Sequence, residues 1–328
     1  SWRIGADDNT AVSVLEGMQQ YKGNSLTYIK GADVALGNPA FTSETKINTS
    51  DRSGFAEAVA AAANADVVVM VLGEHGLQTG EGRSRSMLSL PGVQQELLEA
   101  VYKANKNIVL VLTNGRPLAI TWAAANIPSI VEGWHLGTES GNAIAQVLYG
   151  DYNPSGKLPM SFPRNEGQTP IYYNHKNTGR PSTDNPESVF WSHYGDVANS
   201  PLYPFGHGLS YTSFSYSALK LDKNEFTTDG QITATVTVSN TGKYEGKEVV
   251  QWYIRDLVAS VTRPVKELKG FEMVSLKPGE SKTVTFTIDK KTVEFYSAAK
   301  KWEAEPGNFQ LFVGGSSETA LQAEFTLK

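Results

Sequence analysis

An α/β layer with a mainly parallel sheet, followed by an all-β sandwich, is the fold class predicted for this 328-residue chain. Three observations lead there. Up to about residue 163, amphipathic helical patterns alternate with short, continuous apolar runs. From about residue 213, apolar and polar residues alternate with the period of two that marks half-buried strands. Between them, residues 164–212 have little periodicity and many proline, glycine, asparagine and aromatic residues. The expected organisation is therefore an α/β domain over 1–163, an ordered extended connection over 164–212, and a β-domain over 213–328.

In the first part, Thr10 to Tyr21 reads as a helix with Val14, Leu15 and Met18 on one side. The alanine-rich stretch from Asp51 to Asn64 places Phe55, Val59 and Ala62 on a common face. Asp66 to Leu72 is a continuous apolar run of strand length. Val93 to Asn105 is helical, and Ile108 to Leu112 is a second buried strand. Ser129 to Gly133 is a third, followed by a helix from Gly141 to Leu148. Strands apolar on both faces, separated by amphipathic helices, indicate a parallel sheet covered on both sides.

In the last part, Ile232 to Ser239 alternates almost strictly, and Val249 to Ile254, Thr283 to Ile288 and Asn308 to Val313 are comparable. Turn signals lie between them at Asn240–Gly242, Lys277–Glu280 and Glu305–Gly307. Roughly seven such strands in ~115 residues suggest a sandwich of the immunoglobulin or fibronectin type III kind. The connection carries Tyr172, Tyr173, Phe190, Trp191, Tyr194, Tyr203, Phe205 and Tyr211. Disordered segments are poor in aromatics, so this one is expected to lie ordered over the other domains.

Composition narrows the function. Hydrophobic residues make up 40% and charged residues 19%, with a formal net charge of −5. That balance argues against nucleic acid or an anionic membrane surface, both of which select basic faces. With no cysteine, disulfides, thiolate catalysis and cysteine-ligated zinc are excluded. No run approaches the ~18–20 apolar residues of a membrane span. Ser1 to Gly5 has no basic region leading into an apolar core and no initiator Met, so a processed or truncated product is expected.

The segment from Gly73 to Arg85 is the most informative for chemistry. It follows an apolar strand, and functional groups of open α/β sheets collect on loops at the carboxyl ends of strands. It holds Glu74, His75, Glu81, Arg83 and Arg85, with Gly80 and Gly82 flanking Glu81. By spacing alone, a solvated loop with surface ion pairs is the simpler reading. Metal binding by Glu74 and His75 is weaker, since adjacent residues rarely ligate one ion, and no Gly-Lys-Ser/Thr follows to make a phosphate loop. Gly137 to Gly141 has the outline of a nucleophile elbow, but Glu139 stands where the serine belongs. Thr138 or Ser140 is expected to cap the following helix instead. Trp134 and His135 could line a pocket, although a satisfied core histidine is the simpler expectation. A dinucleotide site is disfavoured because no Gly-x-Gly-x-x-Gly follows the first strand.

Three longer motifs carry a resemblance. Tyr149 to Pro163 looks like the end of the α/β sandwich domain of glycoside hydrolase family 3, and Leu202 to Tyr211 is similar to the entry into that family's fibronectin type III domain. Asn114-Gly115-Arg116-Pro117 after the second strand matches as well. The likeness, in the style of the bacterial periplasmic three-domain β-glucosidases, implies a retaining β-glycosidase acting on a β-glucoside or oligosaccharide, with no cofactor or metal. In such enzymes a (β/α)8 barrel supplies an aspartate nucleophile, and a loop of the sandwich domain supplies the acid/base glutamate. Glu81 fits that position, with Arg85 at the family's recurrent downstream arginine and Glu74 as runner-up. A barrel needs ~250 residues, and none is expected here. The chain alone is therefore expected to be inactive, with the barrel domain as its partner and a homodimer among its assemblies. A periplasmic or secreted location goes with the resemblance. The competing expectation is a non-catalytic carbohydrate-binding or assembly module, using aromatic residues of 164–212 against sugar rings.

Overall fold

The computed structural model describes residues 10–181 and 188–328. The part of the expected connection at 182–187, and the N-terminal residues 1–9, lie outside them. The chain divides into two compact units. One runs to Tyr152 and includes Pro163–Thr169; the other holds Asn153–Phe162 and Pro170–Lys328. The division does not fall at one point in the sequence. Phe162 is drawn to the second unit by an antiparallel bridge to Tyr203, and Leu158 donates its amide to His207 O at 2.8 Å.

The first unit contains α1 (Val14–Gln19), α2 (Phe55–Ala63), β1 (Val68–Gly73), α3 (Gln94–Ala104), β2 (Ile108–Thr113), α4 (Thr121–Asn126), β3 (Ser129–Glu132) and α5 (Ser140–Tyr149). The strands form a parallel sheet in the order β1-β2-β3. Central β2 is buried on both faces, with Ile108, Leu110, Val111 and Leu112 fully enclosed. That is why its sequence is continuously apolar. The expectation of complete cover fails at β1, an edge strand that leaves Val71 exposed, as is Val67 just before it.

Two local details bear on the sheet's carboxyl edge. Buried Gln94 exchanges both amide hydrogen bonds with Gly73, donating Nε2 to its carbonyl and accepting its N–H, each at 2.8 Å. An extended strand end with no further neighbour must find such partners. At α5, the expected cap by Thr138 or Ser140 is not formed. Glu139 holds the N-cap position without a side-chain cap bond. The carbonyl of Val12 accepts the Gly141 amide at 3.0 Å and the Ser140 hydroxyl at 3.3 Å, so a distant backbone segment takes over the capping.

The second unit is a sandwich. Its strands are β4 (Phe214–Tyr216), β5 (Lys220–Leu221), β6 (Glu225–Phe226), β7 (Gln231–Asn240), β8 (Gly246–Asp256), β9 (Glu267–Leu276) and β10 (Ser281–Asp289). After the short α6 (Lys290–Val293) come β11 (Phe295–Tyr296), β12 (Trp302–Glu303), β13 (Gly307–Gly314) and β14 (Gln322–Leu327). One sheet runs β10-β7-β4 with β5 also on β7, the other β6-β14-β13-β8-β9, and β11 pairs β12. Alternation along β7 sends Ile232, Ala234, Val236 and Val238 into a core shared with Trp252 and Phe309. Aromatic residues of the preceding segment pack within this unit: Tyr173 stacks on Phe205 at 4.4 Å and meets the edge of Tyr253 at 5.7 Å. A buried Lys157–Glu248 pair at 3.0 Å, with Tyr216 Oη donating to Glu248 at 2.8 Å, ties Asn153–Phe162 to the sandwich.

Candidate functional site

Parallel pairing brings the carboxyl ends of the three strands to one edge, because Gly73 lies opposite Thr113 and Leu112 opposite Glu132. The loops beyond them hold most of the polar residues of interest. Glu74, the first residue past β1, turns inward and its side chain has no exposed surface. Oε1 meets Arg85 Nη1 at 2.6 Å and Arg116 Nε at 3.0 Å, and Oε2 accepts the Gly115 amide at 3.0 Å. A carboxylate buried in this way persists only because it is paired and hydrogen-bonded.

The same arginines shape the loop. Arg116 Nη2 donates to the carbonyls of Gln78 at 2.6 Å and Arg83 at 2.8 Å, and Arg85 Nη2 donates to Ser89 O at 3.0 Å. The loop is thus held on both shoulders, leaving Thr79 to Gly82 as its tip. The Arg83 amide donates to Gly80 O at 3.2 Å and closes the tip as a turn. Gly80 and Gly82 have φ of 117° and 70°, a region that side-chain-bearing residues rarely enter. Thr79 is buried, and its hydroxyl bonds His135 Nε2 at 2.9 Å. The Arg83 guanidinium donates to Ser43 O at 3.3 Å and to Phe41 O.

Glu81 sits at the tip, exposed, and makes no hydrogen bond or ion pair with the described residues. The two glutamates are therefore unlike. Glu74 has both oxygens committed, and Glu81 has both available. His75 is likewise committed, accepting the Leu77 amide through Nδ1 at 3.1 Å, and burial lowers its pKa. Among the described residues, no group of three His, Asp or Glu side chains could hold a metal ion. His135 is satisfied by Thr79 but exposed rather than a core histidine, and burial is the main cause of its lowered pKa.

A scan against family models matches residues 2–211 to the glycosyl hydrolase family 3 C-terminal domain, and residues 248–317 to a fibronectin type III-like domain. The chain belongs to glycoside hydrolase family 3. Over all of its length it is 47% identical to a periplasmic β-glucosidase of Salmonella typhimurium, covering 44% of that protein. A β-xylosidase of Formosa agariphila is 43% identical over 94% of the chain, which covers 40% of it. Among solved structures, a β-glucosidase from Erythrobacter marinus superposes with a TM-score of 0.87 at 38% identity, over 97% of this chain and 43% of that one. The chain thus spans less than half the length of these family members. That agrees with a C-terminal portion without the barrel.

Three residues of this edge had no assigned role in the sequence reading: Gln94, Arg116 and Glu132. Arg116 stood in a recognised motif, yet only the fold brings it beside Glu74. Glu132 had a usable signal, a carboxylate inside an apolar strand run, and the structure leaves it half-buried with Oε2 enclosed. Burial pushes its pKa up to about 7, against the opposing effects of the Trp134 amide and the Asn114 side chain.

Proposed function

We propose that this chain is the C-terminal part of a retaining β-glycosidase of the β-glucosidase type, releasing terminal β-D-glucosyl residues, and that Glu81 is its general acid/base. The observation that carries the assignment is the contrast at the loop: Glu81 is exposed and unengaged on a clamped, glycine-flanked tip, and Glu74 is consumed by two arginines and an amide. The aspartate nucleophile belongs to a barrel domain outside this chain. The printed names of the relatives, β-glucosidases and a β-xylosidase, support the substrate class. The periplasmic relative supports an extracytoplasmic location.

A retaining mechanism needs two carboxyl groups ~5–5.5 Å apart. One attacks the anomeric carbon. The other protonates the departing oxygen and then takes a proton from the water that hydrolyses the glycosyl-enzyme. A free glutamate on a tip with fixed shoulders can reach out to such a centre without its base moving, so its arrival costs little ordering entropy. Once a second domain encloses it, loss of water and the nucleophile's negative charge would favour the protonated form that the first step requires.

The test is Glu81→Gln in the enzyme that carries this chain. Hydrolysis of substrates with poor leaving groups should fall by about 10²–10⁴-fold, and aryl glycosides with acidic phenols should lose less in the glycosylation step. Azide, which needs no general base, should restore part of the turnover and yield a β-glycosyl azide. Should that pattern appear at Glu74→Gln instead, the assignment passes to Glu74. Should neither variant show it, this loop does not supply the acid/base.

A further inference from the structure

Three loops at the carboxyl edge of the parallel sheet converge on one point. Thr79, from the loop after β1, is buried, and its hydroxyl bonds His135 Nε2, from the loop after β3, at 2.9 Å. Gly115, from the loop after β2, lies against both. A Cβ there would sit 2.7 Å from Thr79 Cγ2 and 3.0 Å from His135 Cδ2, so glycine is what leaves room for the pair. Gly115 is itself fixed, because its amide donates to the committed Glu74 at 3.0 Å.

His135 reaches this point through an uncommon backbone turn. Just past β3, the Gly133 amide donates to Leu112 O at 2.8 Å and stays with the sheet. Trp134 then turns at φ 50°, where bulky residues are rarely found, with its amide held by Glu132 Oε1 at 2.9 Å. Such strain persists only where the surroundings over-determine it. Its result here is an imidazole set against Thr79.

Thr79 is the residue before the turn that carries Glu81. Gly80 and Gly82, the most permissive residues of the loop, flank that glutamate, so the place of its carboxyl is set by the anchors outside the glycines. After Gly82, Arg116 Nη2 holds Arg83 O at 2.8 Å. Before Gly80, the same nitrogen holds Gln78 O at 2.6 Å, and Thr79 follows with its side chain on His135. We propose that His135 is a positioning residue, which holds the Thr79 hydroxyl over Gly115 and so fixes the direction in which the Gly80–Arg83 turn presents Glu81. The bond forms whether the hydroxyl donates to Nε2 or accepts from it. The consequence for catalysis rests on the Glu81 assignment; the anchoring does not.

The test has two arms. In the 328-residue chain, the Arg83 amide, which closes the turn on Gly80 O, reports the anchor by hydrogen exchange. His135→Phe and Thr79→Val should each speed its exchange about tenfold, the effect of one net hydrogen bond lost. Thr79→Ser keeps the hydroxyl and should exchange as the parent does. The β1, β2 and β3 amides should stay protected throughout, so a variant that fails to fold is recognised and the other one decides. In the enzyme that carries this chain, His135→Phe should lower kcat/KM by about 10–10²-fold for substrates with poor leaving groups, and by much less for acidic phenols. In a Glu81→Gln background it should add nothing, because it acts through Glu81. Unchanged Arg83 exchange in both variants overturns the proposal. Faster exchange with a loss that is equal for all leaving groups, or that persists in full on Glu81→Gln, overturns the positioning role. Should Glu81→Gln itself show no leaving-group dependence while exchange responds as expected, the anchor stands and the functional assignment fails.

Discussion

Replacing Glu74 by leucine is expected to cost the α/β unit about 3–5 kcal/mol, the range for removing one partner of a buried ion pair. The magnitude follows from what is left behind. Arg85 and Arg116 keep only 17% and 20% of their side-chain surface exposed, and both lose the carboxylate that they share. The Gly115 amide loses its acceptor as well. Summing three charge-assisted bonds at ~1.5–3 kcal/mol each would overshoot, because both guanidiniums keep carbonyl partners at Ser89, Gln78 and Arg83. At about 2–4 °C per kcal/mol for a unit of this size, the transition should drop by roughly 6–20 °C. Glu74→Gln retains an acceptor for Gly115 and should lose roughly half as much free energy. Two compact units make a single global signal unsuitable. The assay is therefore urea-dependent hydrogen exchange of the β1, β2 and β3 amides, with those of β7 and β10 as an internal reference. A loss below about 1 kcal/mol, typical of an exposed pair, would refute the claim that this triad anchors the loop.

Gly73 has φ 145°, and a Cβ there would lie 2.0 Å from Thr113 O, so Gly73→Ala should displace the end of β1 and destabilise the unit by more than about 1–3 kcal/mol, read from the same amides. Glu248→Ala leaves buried Lys157 without its carboxylate and the Tyr216 hydroxyl without its acceptor; a fall of about 3–5 kcal/mol in the stability of the sandwich, by denaturant unfolding of its core amides, is expected. Burial raises the pKa of Asp256 from 3.8 to about 6, so the folded state holds a proton that the unfolded state has released. Its contribution is complete below pH 3.8 and is lost as pH rises through 6, and Asp256→Asn should flatten that decline in melts of the sandwich across this range. The isolated chain should not turn over aryl β-glucosides, since a proton donor without a nucleophile gives little acceleration; turnover that disappears on changing an internal aspartate would place the nucleophile within this chain.

Much of the architecture was legible from the residues because it is written in short-range periodicity. Ile108 to Leu112 reads as a doubly buried strand because both of its faces are apolar, and Ile232 to Ser239 as a sandwich strand because only one is. Turn residues at Asn240–Gly242 and Lys277–Glu280 separate the β-strands for equally local reasons. Local patterns failed where a distant partner replaced a local one. Val12 O caps α5 in place of Thr138 or Ser140, and the course of Asn153–Phe162 follows its pairing with Tyr203 and Glu248.

The candidate site divides in the same way. The spacing Gly80-Glu81-Gly82 marked a loop able to adopt positive φ, because that freedom is a property of the residue itself. What separates Glu81 from Glu74 is not local. It depends on Arg116, 42 residues further along the chain from Glu74, reaching that carboxylate across the β1–β2 register. The raised pKa of Glu132 depends on burial, which no single strand can confer on itself. Sequence by itself determined the three parallel strands, helices α1, α2, α3 and α5, four of the sandwich strands and the presence of a glycine-flanked carboxylate, whereas α4, β9 and β14 were not read from it. Only the tertiary structure decided which carboxylates are buried, paired or free, because solvent exposure and charge pairing are set by groups that the chain brings together from far apart.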